Sequence, residues 1–315
     1  MSNPSLLAIG ECLVEMVVQT DGRIKTSFAG DTYNALVYAK RWCSDLAAHF
    51  CTATGEDTFS IQMRREWQKH GIANDFALST PSFNAGLYLI ETDAEGDRRF
   101  VYWRNQSAAT QMIKLGVGDS DFLPKVDIIF FSGIGLGILD DTDKTRLLKN
   151  LEKVKQKGVK VAFDPNYRPT LWKDANEAQI WIEKAYAISD IVLPGMDDHL
   201  DIFGHKTVEE VRLTMEACNV TEYVIKAGKH GVYGFYNGTE TFHNPFKPAR
   251  QQLDSTAAGD SFAGIYLVNR INGIKMDKAA IHAADVAGLV VQHSGAIVDK
   301  QVFDEFMQSC DGGEL

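Results

Sequence analysis

The stretch Gln252-Leu-Asp-Ser-Thr-Ala-Ala-Gly-Asp-Ser-Phe-Ala-Gly264 decides how the rest of the chain is read. A turn of small residues runs straight into an apolar helix, and Asp260 sits where that helix begins. Backbone amides at a helix start are unpaired and point outward, so they take up anions. The small residues Ala257, Ala258 and Gly259 let a phosphate approach that backbone closely. An aspartate beside such a cradle can accept the proton of an attacking hydroxyl. Phosphate, hydroxyl and base together describe a kinase. The simpler alternative is an aspartate N-cap preceded by a glycine turn.

Outward from this stretch, short apolar runs alternate with helical patterns. Strands are expected at Leu6–Ile9, Ala47–Cys51, Asp127–Phe131, Val159–Phe163, Ile191–Leu193 and Tyr223–Lys226. Helices are expected at Asp31–Trp42, Phe59–His70, Asp141–Lys157 and Thr207–Cys218. Short strands at Val232–Tyr236 and Thr239–His243 follow, and two helices, Ala257–Ile271 and Asp277–Gln292, close the chain. Such alternation implies a doubly wound α/β fold, a mostly parallel sheet covered on both faces. Two early hairpins interrupt it. One joins Leu13–Gln19 to Arg23–Phe28 through Thr20-Asp21-Gly22; the other joins Gly86–Thr92 to Arg98–Trp103 through Asp93–Asp97. They read as an inserted β-sheet. Its apolar residues Leu87, Leu89, Phe100 and Tyr102 are expected on one face that a small sheet cannot fully bury, which favours a homo-oligomer. The Asp311-Gly-Gly-Glu314 end is expected to fray.

The net charge of −10 argues against nucleic acid and anionic membranes as partners. Five cysteines without a Cys-x-x-Cys pair fit reduced thiols in a cytoplasmic protein, not a disulfide framework or zinc site. The start Met-Ser-Asn-Pro lacks the basic region of a signal peptide. The longest apolar stretch, Ile128–Leu139, is interrupted by three glycines and cannot span a bilayer.

Several further motifs bear on chemistry. Lys226-Ala227-Gly228-Lys229-His230-Gly231 follows an apolar strand, at the carboxyl edge where doubly wound sheets bind ligands. Its glycines permit a phosphate to approach and Lys226 offers charge; a plain β-turn is the alternative. Phe131-Ser-Gly-Ile-Gly-Leu-Gly137 has the wrong glycine spacing for a dinucleotide fingerprint and reads as a flexible loop at a strand tip. Gly30-Asp31-Thr32-Tyr33-Asn34 opens the first long helix, where Asp31 and Asn34, one turn apart, could bind adjacent sugar hydroxyls; Asp31 as a mere N-cap is equally open. Tyr102-Trp103-Arg104-Asn105 and Asp164-Pro-Asn166-Tyr167-Arg168 each offer an arginine. A guanidinium in a partly dry pocket grips a carboxylate bidentately, although either arginine could be a surface ion pair. The histidines show no metal-ligand spacing, and His199 and His205 read as surface or packing residues.

Taken together these residues resemble the ribokinase-like (PfkB) carbohydrate kinase family, nearly end to end. Asp254-Ser-Thr-Ala-Ala-Gly-Asp260-Ser-Phe is similar to the family's Asp-Thr-x-Gly-Ala-Gly-Asp-x-Phe signature, and Gly30-Asp31-x-x-Asn34 and Lys226-x-Gly228-x-x-Gly231 occur in the family's order. The resemblance implies one kinase domain over 1–315, with a small β-sheet lid from strands at about 11–29 and 85–105. Within the family, Gly86-Leu-Tyr88-Leu-Ile, Tyr102-Trp-Arg104-Asn, Asp164–Arg168 and Val291-Gln-His-Ser-Gly-Ala296 are similar to the members that phosphorylate 2-keto-3-deoxygluconate at O6. Fructokinases and other sugar kinases of the family are the alternative activity. A silent sugar-acid sensor and a dehydrogenase using Gly133–Gly137 are readings of other classes.

By this resemblance the sugar acid is held by Gly30, Asp31, Thr32, Tyr33, Asn34, Tyr88, Tyr102, Trp103, Arg104 and Arg168, with Asp260 as base. ATP is held by Asn166, Tyr167, Arg168, Lys226–Gly231 and Ala257, Ala258 and Gly259. The family's Asn-x-x-Glu near magnesium is replaced by Gly195-Met-Asp-Asp198. Asp198 is shorter than Glu, so its contact to Mg²⁺ is expected through water; a monovalent cation is expected near Asp254. Ala257 stands where the family has glycine, a mild change if its φ is negative. The helix start is expected to depress the pKa of Asp260.

Overall fold

Leu6, Leu7, Ala8 and Ile9 are all buried. Successive strand residues point to opposite faces, so this run needs a packed layer on each side. In the computed structural model, which describes residues 3–19, 21–92 and 98–311, it has both. The strand Ser5–Ile9 pairs in parallel with Ala47–Thr54 on one side and Ile128–Ser132 on the other. Parallel pairing continues through Lys160–Asp164, Ile191–Val192 and Glu222–Lys226. Antiparallel strands Val232–Tyr236 and Thr239–Asn244 finish one edge. Two short strands, Ile72–Ala73 and Ala77–Ser79, pair with Ala47–Thr54 at the other.

Leu6 and Ala8 belong to a core packed by helices Asp31–Trp42, Thr58–Lys69, Ala258–Ile271 and Met276–Val290. Leu7 and Ile9 belong to a second core under helices Asp141–Gln156, Ala175–Ile188 and Val208–Ala217. The expected doubly wound architecture is present. Its parallel strands all point their carboxyl ends the same way, and the helix starts gather there.

A second sheet has four strands in the order Ile24–Ala29, Leu13–Val18, Leu87–Thr92, Arg98–Trp103. Its register corrects one expectation. Tyr88 lies opposite Tyr102 and Ile90 opposite Phe100, while Leu87 faces Trp103 and Leu89 faces Val101. Directly opposed residues share a face. Leu87 and Leu89 are therefore on one side of the sheet, and Phe100 and Tyr102 on the other.

Gly133–Gly137 is also not a loop. It forms one short helix whose start is capped by Ser132 Oγ, which accepts from Gly135 N at 3.1 Å. The chain closes with three helices rather than two: Lys300–Asp311 follows, and its Phe303 is fully buried, 6.0 Å from the Tyr38 ring. Cys12, Cys43, Cys51 and Cys218 are free thiols. Among the described residues no helix is long and apolar enough to cross a membrane. Thr20, the Asp93–Asp97 turn, the Cys310 side chain and the chain beyond Asp311 lie outside the description.

Candidate active site

Helix Ala258–Ile271 delivers Asp260 in its first turn. Helix Asp31–Trp42 lies against it, and Gly264 makes the contact close: a Cβ there would sit 2.0 Å from the carbonyl oxygen of Ala35. Across this contact Asn34 Nδ2 donates to Asp260 Oδ2 at 2.9 Å. From Asn34 a chain of polar contacts runs along the carboxyl edge of the sheet. Asp31, in the same helix turn, accepts from Asn166 Nδ2 at 3.0 Å. The backbone amide of Asn166 donates to Asp164 Oδ1 at 3.2 Å, and Lys226 Nζ lies 2.6 Å from Asp164 Oδ2. Lys226 Nζ in turn lies 3.8 Å from where a Cβ on Gly259 would be, which brings the chain back to the helix of Asp260.

Asp31, Asp164 and Asp260 thus share one edge, and Asp198 lies close enough for its charge to couple to Asp164. Asp260 is half-buried, and the removal of water from its surroundings, with the nearby negative charge of Asp31, pushes its pKa up to about 7. Asn34 and the charge of Arg168 oppose the shift without reversing it. The expected depression by the helix start is corrected: one helix terminus is outweighed by desolvation beside a second carboxylate. The result suits a base better, since a carboxylate of pKa near neutrality binds its proton more firmly than an ordinary one. Burial also raises Asp164, with Lys226 working against it. Asp198, whose Oδ1 accepts from the amide of Tyr167 at 2.9 Å, is pushed up to about 6 by burial and by the charge of Asp164.

The residues foreseen at the site divide. Asp31, Asn34, Asn166, Lys226, Gly259 and Asp260 come together in the contacts above, and Gly30 N donates to Asn34 Oδ1 at 3.4 Å. Asn166 was expected on the nucleotide side, but its side chain is spent on Asp31. Tyr167 lends its amide to Asp198, and Arg168 is exposed, with Nη1 donating to the carbonyl of Tyr167 at 2.8 Å. Tyr33 is corrected outright: it is fully buried, its ring 5.9 Å from Phe50 and 6.2 Å from Trp67, and it belongs to the core. Thr32 is likewise wholly buried.

Arg104 is buried and ion-paired, Nη2 to Glu11 Oε2 at 2.5 Å. Tyr88 is buried too, its hydroxyl donating to Glu15, while Tyr102 and Trp103 are exposed. Arg104, Tyr102 and Trp103 line an open groove of about 470 Å³ beside Asn84 and Ser107. At the other end of the site, Ala227 is buried and Gly228–His230 forms a short turn that exposes Lys229 and His230, closed by Gly231. Ala258 N already reaches Ser255 O at 3.3 Å, leaving the amides of Gly259 and Asp260 as helix-start donors.

Ala257 has φ +61°, in the left-handed region, so its replacement of glycine is not mild. Its methyl group is buried in a small cluster with Leu13, Tyr88 and Ile90 of the second sheet, which ties the turn to that sheet. Asp254 is buried and accepts from Thr256 N at 3.0 Å and Gly295 N at 2.8 Å. His199 is fully buried, 2.9 Å from the Tyr186 hydroxyl, in a packing role. Two acids at the site were not singled out from the sequence. Asp164 could have been found, because it directly follows the expected strand Val159–Phe163; Glu11 lies one residue further beyond its own, Leu6–Ile9.

Among the described residues no three of the His, Cys, Asp and Glu side chains are grouped so as to hold a metal ion by themselves. Residues 3–301 match the sequence profile described as pfkB family carbohydrate kinase. The chain belongs to that family. It is 37% identical over 304 residues to a 2-dehydro-3-deoxygluconokinase of Dickeya dadantii, covering 95% of this chain and 98% of the relative. A 2-dehydro-3-deoxygluconokinase of Haemophilus influenzae is 34% identical, with 93% and 95% covered. The crystal structure of 2-dehydro-3-deoxygluconokinase from Thermotoga maritima superposes with a TM-score of 0.82 at 21% identity, over 97% of this chain and 98% of that one.

Proposed function

We propose that this pfkB-family protein is an ATP-dependent kinase that phosphorylates 2-keto-3-deoxygluconate (the 2-dehydro-3-deoxygluconate of its relatives' names) at O6. The observation that carries the chemistry is Asp260, half-buried at a helix start and held by Asn34 at 2.9 Å. The substrate class rests on relatives 34–37% identical over nearly the whole chain.

In this reading the sugar acid lies over Gly30, Asp31 and Asn34, under the four-stranded sheet acting as a lid, with Tyr88 and Tyr102, which share one face of that sheet, on its lid side; Trp103 is on the opposite face. Asp260 takes the proton of the O6 hydroxyl as that oxygen attacks the γ-phosphorus of ATP; the β–γ bridging oxygen leaves with the electron pair as ADP departs. The helix-start amides of Gly259 and Asp260 stabilise charge on the transferring phosphoryl group. The exposed Arg168 supplies a cation for the substrate carboxylate, and Arg104 a second. Lys226 and the Ala227–Gly231 turn flank the nucleotide phosphates.

Mg²⁺ would neutralise phosphate charge. Asp198, half-buried with one oxygen taken by the Tyr167 amide, and Asp164, occupied by Lys226, suit a cation that keeps most of its waters. In the same reading a monovalent cation lies near Asp254. Exposed rings on the lid strands, Phe100 and Tyr102 on one face and Trp103 on the other, support association of two copies through those strands, which light scattering would test. Free thiols support a cytoplasmic setting.

A coupled assay of ADP release over 2-keto-3-deoxygluconate, gluconate, fructose and ribose tests the reading. The keto acid should give the highest kcat/KM. Preference for fructose would reassign the protein to the fructokinases, and binding without turnover would make it a sensor.

A further inference from the structure

Glu11 lies at the joint between the two sheets, after the strand Ser5–Ile9 and before the lid strand Leu13–Val18. Its side chain is 1% exposed, an environment that a carboxylate tolerates only when paired and hydrogen-bonded. Both partners come from one turn at the end of the lid strand Arg98–Trp103. Arg104 Nη2 lies 2.5 Å from Oε2, and Ser107 Oγ donates to Oε1 at 2.5 Å. The turn is closed by Ser107 N donating to Arg104 O at 2.9 Å. Glu11 therefore clamps a lid turn at both ends. Its own backbone is pressed against the start of the Asp31 helix: a Cβ on Gly30 would lie 2.0 Å from the Glu11 carbonyl oxygen.

The clamp does not exhaust Arg104. Its Nε is buried and finds no hydrogen-bond acceptor among the described residues. An arginine fork held at one end by a carboxylate keeps its remaining donors in fixed directions, whereas an unheld one spends binding energy on being ordered. The guanidinium also sits 5.7 Å from the Tyr102 ring centroid, on the wall of the open groove.

We propose that Glu11 is a positioning residue for sugar-acid recognition: it holds Arg104 by one edge, so that the guanidinium stays on the groove wall where a substrate carboxylate can meet it. The inference rests on the sugar-acid kinase reading above. Without the counter-charge, a guanidinium buried to this depth turns toward water and leaves the groove wall.

The test is E11Q, alone and combined with R104A, assayed on 2-keto-3-deoxygluconate and on its neutral methyl ester. E11Q should raise KM for the acid about 10-fold with kcat within about two-fold, and leave KM for the ester unchanged. In the R104A background it should add nothing, because its effect passes through Arg104. An unchanged KM for the acid, equal losses on acid and ester, or losses that add to those of R104A would each overturn the proposal. A crystal structure of ligand-free E11Q gives a reading independent of substrate: the Arg104 guanidinium should be displaced, and an unmoved one sinks the idea. Should E11Q fail to fold, E11D, which keeps the charge but draws the carboxylate back, replaces it in every arm. A wild-type enzyme that ignores the keto acid would refute the proposed substrate, while the E11Q structure still decides the role of Glu11.

Discussion

Asn34 Nδ2 donates to Asp260 Oδ2 at 2.9 Å between residues 226 apart in the chain. The bond joins the first turns of two helices, and both turns open on the carboxyl edge of the sheet. It also orients one oxygen of the proposed base, leaving the other to face a hydroxyl. Desolvation and Asp31 then set that base near neutrality, with its pKa about 7.

The pH profile follows. A base must be ionised to act, so kcat/KM should climb with pH and level off above about 7. Asp260→Asn should lower kcat by roughly 10²–10⁴-fold and abolish the climb, while ATP binding measured by calorimetry persists. A variant with near-normal turnover would remove Asp260 from the mechanism.

The same residue should weaken the fold. Its folded pKa lies above that of the unfolded chain, so the native state holds the proton more tightly. Stability from this group is present below about pH 4 and is withdrawn as pH rises toward 7. Asp260→Asn should therefore melt above the wild type at pH 8 and close to it at pH 4, a comparison made by calorimetry on the free enzyme.

Lys226→Met should cost about 3 kcal/mol in urea unfolding, because Asp164, with its side chain 7% exposed, would be left buried without its counter-charge. KM for ATP should rise as well. Loss of ATP affinity without loss of stability would mean that the ion pair carries no structural weight.

Gly264→Ala tests the helix contact. The added methyl group would overlap the Ala35 carbonyl oxygen, which is backbone and cannot rotate away. The two helices must separate, at a cost of about 3 kcal/mol. Since the same contact aligns Asn34 with Asp260, kcat should fall together with the melting temperature. A variant that lost stability alone would show that the alignment has another source.

Arg168→Ala addresses substrate choice. The side chain is exposed and its charge is felt at Asp260 and Asp198. KM for the keto acid should rise about 10- to 100-fold, as for loss of a charge-assisted hydrogen bond, and KM for the neutral methyl ester should not. Equal losses on both would mark Arg168 as structural.

Much of this was legible in the residues alone. Alternating apolar runs specify the doubly wound sheet, since burial on both faces leaves a period-2 strand no other arrangement. The turn Ala257–Gly259 and Asp260 announce a helix start, because small residues and an acid are local signals. The late helix Lys300–Asp311, whose Phe303 belongs to the core, was not among the expected elements. Periodicity could not tell that Tyr33 faces Phe50 and Trp67 rather than a sugar, for a helix start has both a site side and a core side.

What the chain by itself determined is the order of its elements and the residue types at their ends. Tertiary structure alone decided which ends meet: Asn166 with Asp31, Lys226 with Asp164, Glu11 with Arg104. It also decided the sign of the Asp260 shift and the left-handed backbone of Ala257. The physical reason is common to all of these. Local conformation follows from neighbours in sequence, but charge, solvent exclusion and strain depend on atoms brought close through space from distant parts of the chain.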